Sequence, residues 1–444
     1  MAKVSWETCL LKNKQGAYLS CLNNAVAILT HRTEWHNVIA FDAFAGVVVK
    51  KKQPPWCEDT APENDSLGDW TREDALRTAV WITREYNCAV PTHIIDEAVQ
   101  VVADRWVVHP VRDWLNEFRW DREPRVDDFL IRVAGAQDTP YVKAVTKSFF
   151  LSAVARVLHP GEKVDTMLIL EGEQGIGKST LFRTLASDAW FLDTSFTPGT
   201  KDGYQALRRK WIIEWGELDA LNRTELSRVK QFISSVKDSY RPPYGKTTID
   251  FLRQCVFAGT VNPDGGGYLI DPTGARRFWP VTVGKVHLKI VREERAQLWA
   301  EAVYRYRKCE PWHLHDPKLL KAAALEAEDR RIEHPWEVAA RTWLEEHDRT
   351  KRGVTTTELL TKAAEMPVHQ QGRAAQTMMG HALRAIGWNV VRRGSDNVRR
   401  YFHENVGGLV ERLEVRSSIK KARNATNLQP SNVNSSSISR RRGS

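Results

Sequence analysis

Several things are missing from this sequence. No apolar run approaches the roughly 18 residues that a membrane-spanning helix needs, so nothing is expected to cross a bilayer. The first twenty residues carry Lys3, Glu7, Lys12 and Lys14 and no apolar core, so no signal peptide is expected. The six cysteines (Cys9, Cys21, Cys57, Cys88, Cys255, Cys309) are scattered and form no C-x-x-C pair. That pattern argues against a zinc site and a disulfide framework, and fits a reducing cytoplasm. Acidic residues are absent from Arg416 to Ser444, a stretch rich in Ser, Asn and Arg that reads as a disordered basic tail. No internal repeat is found.

What remains is a chain with real cores. Its 444 residues suggest roughly two to four domains, and its 42% apolar content is that of a globular protein. A net charge of +10 suits a polyanionic partner, either nucleic acid or nucleotide. The seventeen tryptophans read as core or interface anchors.

The strongest signal is Leu168 to Thr180. Leu168, Ile169 and Leu170 read as a short buried strand. Then comes G-x-x-x-x-G-K-S (Gly172, Glu173, Gln174, Gly175, Ile176, Gly177, Lys178, Ser179), followed by Thr180 and a helical start at Leu181. Strand, glycine-rich loop and helix in this order form the P-loop context for binding a nucleotide, which alone suits a kinase, a transporter subunit, a GTPase or a motor equally well. The glycines let backbone N–H groups converge on a phosphate, and the helix presents the positive end of its dipole to the same group. Lys178 would bridge the β- and γ-phosphates, and the Ser179 hydroxyl is a hard ligand for Mg²⁺.

Around this stretch the chain divides as follows. Residues 1–69 are an N-terminal region of uncertain role, with Ala25–Leu29 and Val47–Val49 as candidate short strands. Residues 70–160 read as mainly helical. Residues 161–315 alternate strand and helix, which implies a parallel sheet flanked by helices. Residues 316–335 read as a charged helical linker. Residues 336–406 run helix, helix, helix, hairpin, the order of a winged helix, and 407–444 make the basic tail. The fold class expected is α/β, a P-loop core with a helical N-terminal region and a C-terminal winged-helix-like domain.

Three further stretches narrow the chemistry. Glu214 and Glu217 lie on the apolar strand Trp211–Leu218, where a carboxylate at a strand end can hold the Mg²⁺ hydration shell and orient water. The residue before Glu217 is Gly216, so the usual adjacent acidic pair is absent. Residues three apart on a strand face opposite ways, so both can serve one site only if the strand ends near Trp215. Glu217 is the preferred catalytic carboxylate, with Glu214 as support on the metal side. Asn262 follows the strand Gln254–Thr260 and could bond the γ-phosphate and the attacking water. Arg276 or Arg277 could serve as a guanidinium finger on a neighbouring subunit. Separately, Lys237, Arg241 and Lys246 share a basic loop with Tyr240 and Tyr244, a cation–aromatic mix that suits single-stranded DNA.

These residues in this order resemble the virulence-associated protein E family of phage and mobile-element ATPases, whose P-loop domain is similar to superfamily 3 helicases within the AAA+ group. The resemblance spans about residues 100 to 310. It rests on His109–Leu115, Trp120-Asp121, Gly161–Asp165, the P-loop, Trp211–Asp219, Lys237–Tyr244, Phe257–Asn262, Gly274–Trp279 and Gln297–Ala302. It implies an ATP-dependent replication protein in a bacterial host cell that assembles as a homo-oligomeric ring, such as a hexamer. A separate primase would be its partner, because no primase module is visible. Two readings follow. One is a DNA helicase or translocase, with single-stranded DNA in the ring and duplex on the winged helix. The other is a nucleotide-dependent initiator or loader that does not unwind processively. A small-molecule kinase explains neither Arg276-Arg277 nor the basic C-terminal third.

Overall fold

A computed structural model describes residues 6–57, 68–193, 198–216, 223–241, 248–262, 268–269, 277–348, 352–393 and 399–403. Residues Met1–Arg331 form one unit and Ile332–Ser444 a second. In the first unit, α1 (Leu22–His31) takes up the stretch that sequence suggested as a strand. Asn24, Ala25, Ile28 and Leu29 are buried, which is one helical face closing against a neighbour. A short apolar run satisfies either period, and the packing partner decides.

Strands β1 (Ile39–Asp42) and β2 (Val47–Lys50) pair antiparallel, and β3 (Gly68–Asp69) extends β2. After α2 (Arg72–Tyr86) and α3 (Thr92–Ala103), β4 (Val107–Val108) joins β1 in parallel. Trp35, Ile39, Ile82, Ile95 and Val99 share one core. The boundary expected at 69/70 therefore falls inside a shared core. Thr71 begins α2 with a capping box: its hydroxyl accepts from Asp74 N, and the Asp74 carboxylate accepts from Thr71 N at 2.8 Å. The same buried carboxylate receives the Lys50 ammonium at 2.7 Å.

The rest of this unit is built on one sheet. Helices α4 (Pro110–Glu117), α5 (Phe129–Ala134) and α6 (Pro140–Leu158) precede β5 (Met167–Glu171) and α7 (Lys178–Ala186). Next come β6 (Phe191–Leu192), α8 (Lys201–Ala206), β7 (Ile212–Trp215) and α9 (Arg223–Ile233). The hairpin β8 (Lys237–Tyr240) and β9 (Ile249–Leu252) follows, then β10 (Val256–Val261), β11 (Phe278–Thr282), α10 (Leu288–Arg307) and α11 (Pro317–Asp329). The sheet order is β11-β5-β10-β7-β6, and every pairing is parallel.

Alternation along the strands separates two cores. Leu168, Leu170, Ile212, Val256 and Ala258 join α7 residues Leu181, Phe182 and Leu185 on one face. Met167, Ile169, Ile213, Trp215 and Phe257 meet Phe232 and Ile233 of α9 on the other. Behind the first face, α6 is buried on nearly every side. The Trp211 and Trp299 rings pack there with centroids 4.2 Å apart. Residues 237–240, expected as part of a loop, are strand. Helix α11, expected in a linker, belongs to this unit, because Ala323 and Ala327, four apart, are small enough to pack closely inside it.

The second unit contains α12 (Pro335–Glu346), α13 (Thr356–Lys362), α14 (Arg373–Ala385) and the antiparallel hairpin β12 (Trp388–Arg393) and β13 (Arg399–His403). Trp343, Leu359, Leu360, Met379, Leu383 and Tyr401 form its core. Gly380 permits the close approach of α14 to the hairpin, since a Cβ there would lie 2.6 Å from the Tyr401 hydroxyl. Residues 407–444, the expected basic tail, lie outside the described residues.

His109 joins the N-terminal sheet to this framework. It is 1% exposed and stacks on Phe44. Its Nδ1 accepts from Arg112 N at 3.1 Å, capping α4. Its Nε2 therefore carries the proton and donates to Gln254 Oε1 at 2.6 Å. Burial lowers the His109 pKa from its ordinary value. The fold thus favours the neutral ring, so the unfolded state binds the extra proton first. The stabilisation is complete above about pH 6.5 and is lost as pH falls below it. We expect the wild-type melting temperature to drop between pH 7 and pH 5, and the drop to be smaller in His109→Gln, as measured by differential scanning fluorimetry.

Candidate functional site

The glycine-rich loop leaves the C-terminal end of β5, at the sheet edge where ligands of parallel α/β folds collect. Gly172 is tightly held: a Cβ there would meet Val283 O and the Ile176 methyl at 2.6 Å each. Gly172 N donates to Val261 O at 3.3 Å, which ties the loop to β10. Gly175 and Gly177 take φ of +82° and +100°, conformations that strain any residue with a Cβ. Gly177 is the N-cap of α7, so the helix N-terminus opens into the loop. Lys178 is buried beneath it. Its ammonium donates to Gly172 O (2.6 Å), Glu173 O (2.8 Å) and Asn262 Oδ1 (2.8 Å). Burial pushes the Lys178 pKa down, opposed by the nearby Glu214 carboxylate.

Glu214 is the carboxylate that meets the loop. Its Oε1 accepts from the Ser179 hydroxyl and from the Thr260 hydroxyl, each at 2.6 Å. Its Oε2 is buried and has no hydrogen-bond partner among the described residues. The pleat explains this placement. Glu214 shares the parity of Ile212, so it faces α7, and Thr260 shares that of Val256 and Ala258. Strand β7 ends at Trp215, as the two-glutamate reading required. Glu217, the preferred carboxylate from sequence, lies outside the described residues, as does Arg276.

Arg277 is not at this edge. It precedes Phe278, which pairs with Met167, the first residue of β5. Five strand residues at ~3.3 Å each, or about 16 Å, therefore separate it from the glycine-rich loop of its own chain. It lies 3.9 Å from Asp165, and its buried Nε has no partner among the described residues. Of the basic trio, Lys237 is paired with Asp250 across the hairpin at 2.6 Å, Arg241 is exposed, and Lys246 is outside the described residues. Tyr240 is not a free stacking surface. Its ring is buried between Tyr204 and Phe251, with centroids 6.1 and 5.7 Å away. Tyr244 is outside the described residues.

Sequence reasoning missed Thr260 and Glu171. Both were detectable as lone polar residues at the ends of apolar strands, a pattern that water-facing strand tips share. Glu171, just before Gly172, is 4% exposed and accepts from Tyr268, Thr282 and Arg330. Removing one donor from the buried Glu214 carboxylate tests how tightly the edge is tied. Thr260→Val should lower the unfolding free energy by about 1–3 kcal/mol, read by urea titration, with far-UV dichroism unchanged.

Comparison with known proteins gives one family. Residues 115–332 match the virulence-associated protein E-like domain. Among solved structures, the chain overlays on the apo NrS-1 C-terminal region (305–718) with 13% identity and a TM-score of 0.39. That overlay covers 80% of this chain and 84% of the other. The A-form apo structure of the NrS-1 C-terminal region overlays with 12% identity and a TM-score of 0.34, over 82% and 96%. No curated protein matches the chain.

Proposed function

We propose that the protein, whose residues 115–332 match the virulence-associated protein E-like domain, is a P-loop ATPase that works on DNA during replication of a phage or integrated element. The observation that carries this reading is the convergence at one sheet edge of Lys178 with Asn262 and of Ser179 with Glu214. The residues suit the groups they would hold. Gly175, with open space where a Cβ would stand, leaves the loop backbone accessible to phosphates. Ser179 Oγ and the unpartnered Glu214 Oε2 are hard oxygens suited to Mg²⁺.

In hydrolysis, backbone N–H groups of Gly175 to Lys178 and the α7 N-terminus hold the β-phosphate, and Lys178 bridges β and γ. Bound Mg²⁺ would supply charge neutralisation on the β- and γ-oxygens. Glu217, the carboxylate preferred from sequence, orients the attacking water and accepts its proton, and Glu214 supports the metal side. Asn262 Oδ1 is taken by Lys178, which leaves its amide donor for the γ-phosphate or the water. Arg276 or Arg277, the latter at the far end of the sheet, serves the site of a neighbouring copy, so hydrolysis requires an oligomer, and a ring is the form in which every site has such a neighbour. The second unit, with three helices and a hairpin, acts as a winged helix on duplex DNA. Helix α14 presents Arg373, Thr377 and Arg384 to solvent, and Arg399 lies on the wing.

The first test is ATP hydrolysis by wild type and Lys178→Ala, with and without DNA. We expect DNA-stimulated turnover that Lys178→Ala abolishes. Intact activity in the mutant removes the site assignment, and turnover indifferent to DNA favours the initiator or loader reading. Double substitution of Arg276 and Arg277 to Ala should abolish hydrolysis yet retain ATP binding. Mixing that protein with Lys178→Ala should restore part of the activity, because one copy supplies the loop and the other the arginine. No recovery on mixing argues for an arginine acting within its own chain. Truncation at Gly407 should weaken DNA binding most at low salt and flatten the salt dependence, as read by fluorescence anisotropy.

A further inference from the structure

The glycine-rich loop begins from a buried ionic knot that the hydrolysis scheme does not use. The Glu171 carboxylate accepts from Arg330 Nε at 2.9 Å and from its terminal nitrogen at 2.9 Å. Tyr268 OH adds a bond at 2.8 Å and Thr282 Oγ1 one at 3.0 Å. These donors come from three separate places. Thr282 ends β11, and Arg330 follows α11. Tyr268 lies between Asn262 and Arg277, where its N–H and that of Leu269 both donate to Arg330 O at 2.9 Å. Arg330 also pairs with Glu326 one turn back. The Glu171 backbone is fixed as well, since its carbonyl accepts from Val283 N at 2.8 Å.

A buried ion pair is a poor source of stability, because desolvation consumes most of its Coulombic gain. Its geometry is specific, however: a guanidinium fork on a carboxylate allows little sliding or rotation. This fork grips the residue directly before Gly172, where a side chain would run into Val283 O. We propose that Arg330 is a positioning residue for the nucleotide site: clamped on Glu171, it holds the first turn of the glycine-rich loop and residues 268–269 at the spacing a bound triphosphate requires. This rests on the ATPase reading above. Arg330 touches neither phosphate nor water. It acts through Glu171 and through the backbone of residues 268–269.

The test separates position from stability in the full-length protein. Fluorescent ATP-analogue affinity, KM and kcat for ATP, and melting temperature are measured for wild type, Lys178→Ala, Arg330→Lys, Arg330→Met and the triple variant Glu171→Met/Tyr268→Phe/Arg330→Met. Arg330→Met should weaken nucleotide binding and raise KM by tenfold or more, with Arg330→Lys in between, because it keeps the charge without the fork. The triple variant removes the buried charges together, so its melting temperature should return towards wild type while KM stays high. Wild-type KM in the triple variant, or in both single Arg330 variants, overturns the proposal while leaving the ATPase reading intact. Failure of folded wild type to bind the analogue overturns both. If Arg330→Met does not fold, Arg330→Lys gives the same contrast.

Discussion

The site depends on one strand lying between two others. β10 separates β5 from β7 and pairs in parallel with both, Thr260 opposite Leu170 and Ala258 opposite Glu214. Neighbouring strands lie about 4.8 Å apart, so this insertion sets the distance between the phosphate loop and the carboxylate strand. It also supplies the groups that fill the gap. Thr260 bonds Glu214, Asn262 bonds Lys178, and Val261 O holds Gly172 N. A shift of β10 by one residue would turn Thr260 to the α9 side and break all three.

Two buried arginines tie segments of this framework together. Arg156 of α6 is fully buried and donates to Val164 O at 2.9 Å and Ser235 O at 3.3 Å. Arg253 grips Asp238 across the foot of the β8–β9 hairpin and lies over the Phe232 ring. The hairpin is therefore anchored at its base to the helix behind the sheet.

Part of the site is legible in the order of the residues alone. The loop Gly172–Ser179 is legible because its glycines, lysine and serine must occur at one spacing, and spacing is a property of the chain. Asn262 is legible by its position after an apolar strand. The contact of Glu214 with Ser179 is not, because it depends on which face of the sheet α7 covers. Tyr240 reads as a stacking ring because it stands among cations. Its burial between Tyr204 and Phe251 comes from residues 36 positions upstream and 11 downstream.

The sequence by itself determined the glycine-rich loop between a strand and a helix, the strand–helix alternation of residues 161–315, and the helix-helix-helix-hairpin order of the C-terminal unit. These are local patterns, set by residue periods and fixed spacings. Only the tertiary structure decided the order of the strands, the identity of the carboxylate facing Ser179, the far-end position of Arg277 and the grip of Arg330 on Glu171. Each of these joins residues tens to more than a hundred positions apart. Such contacts depend on which apolar faces close against one another, and no local pattern in the chain specifies that.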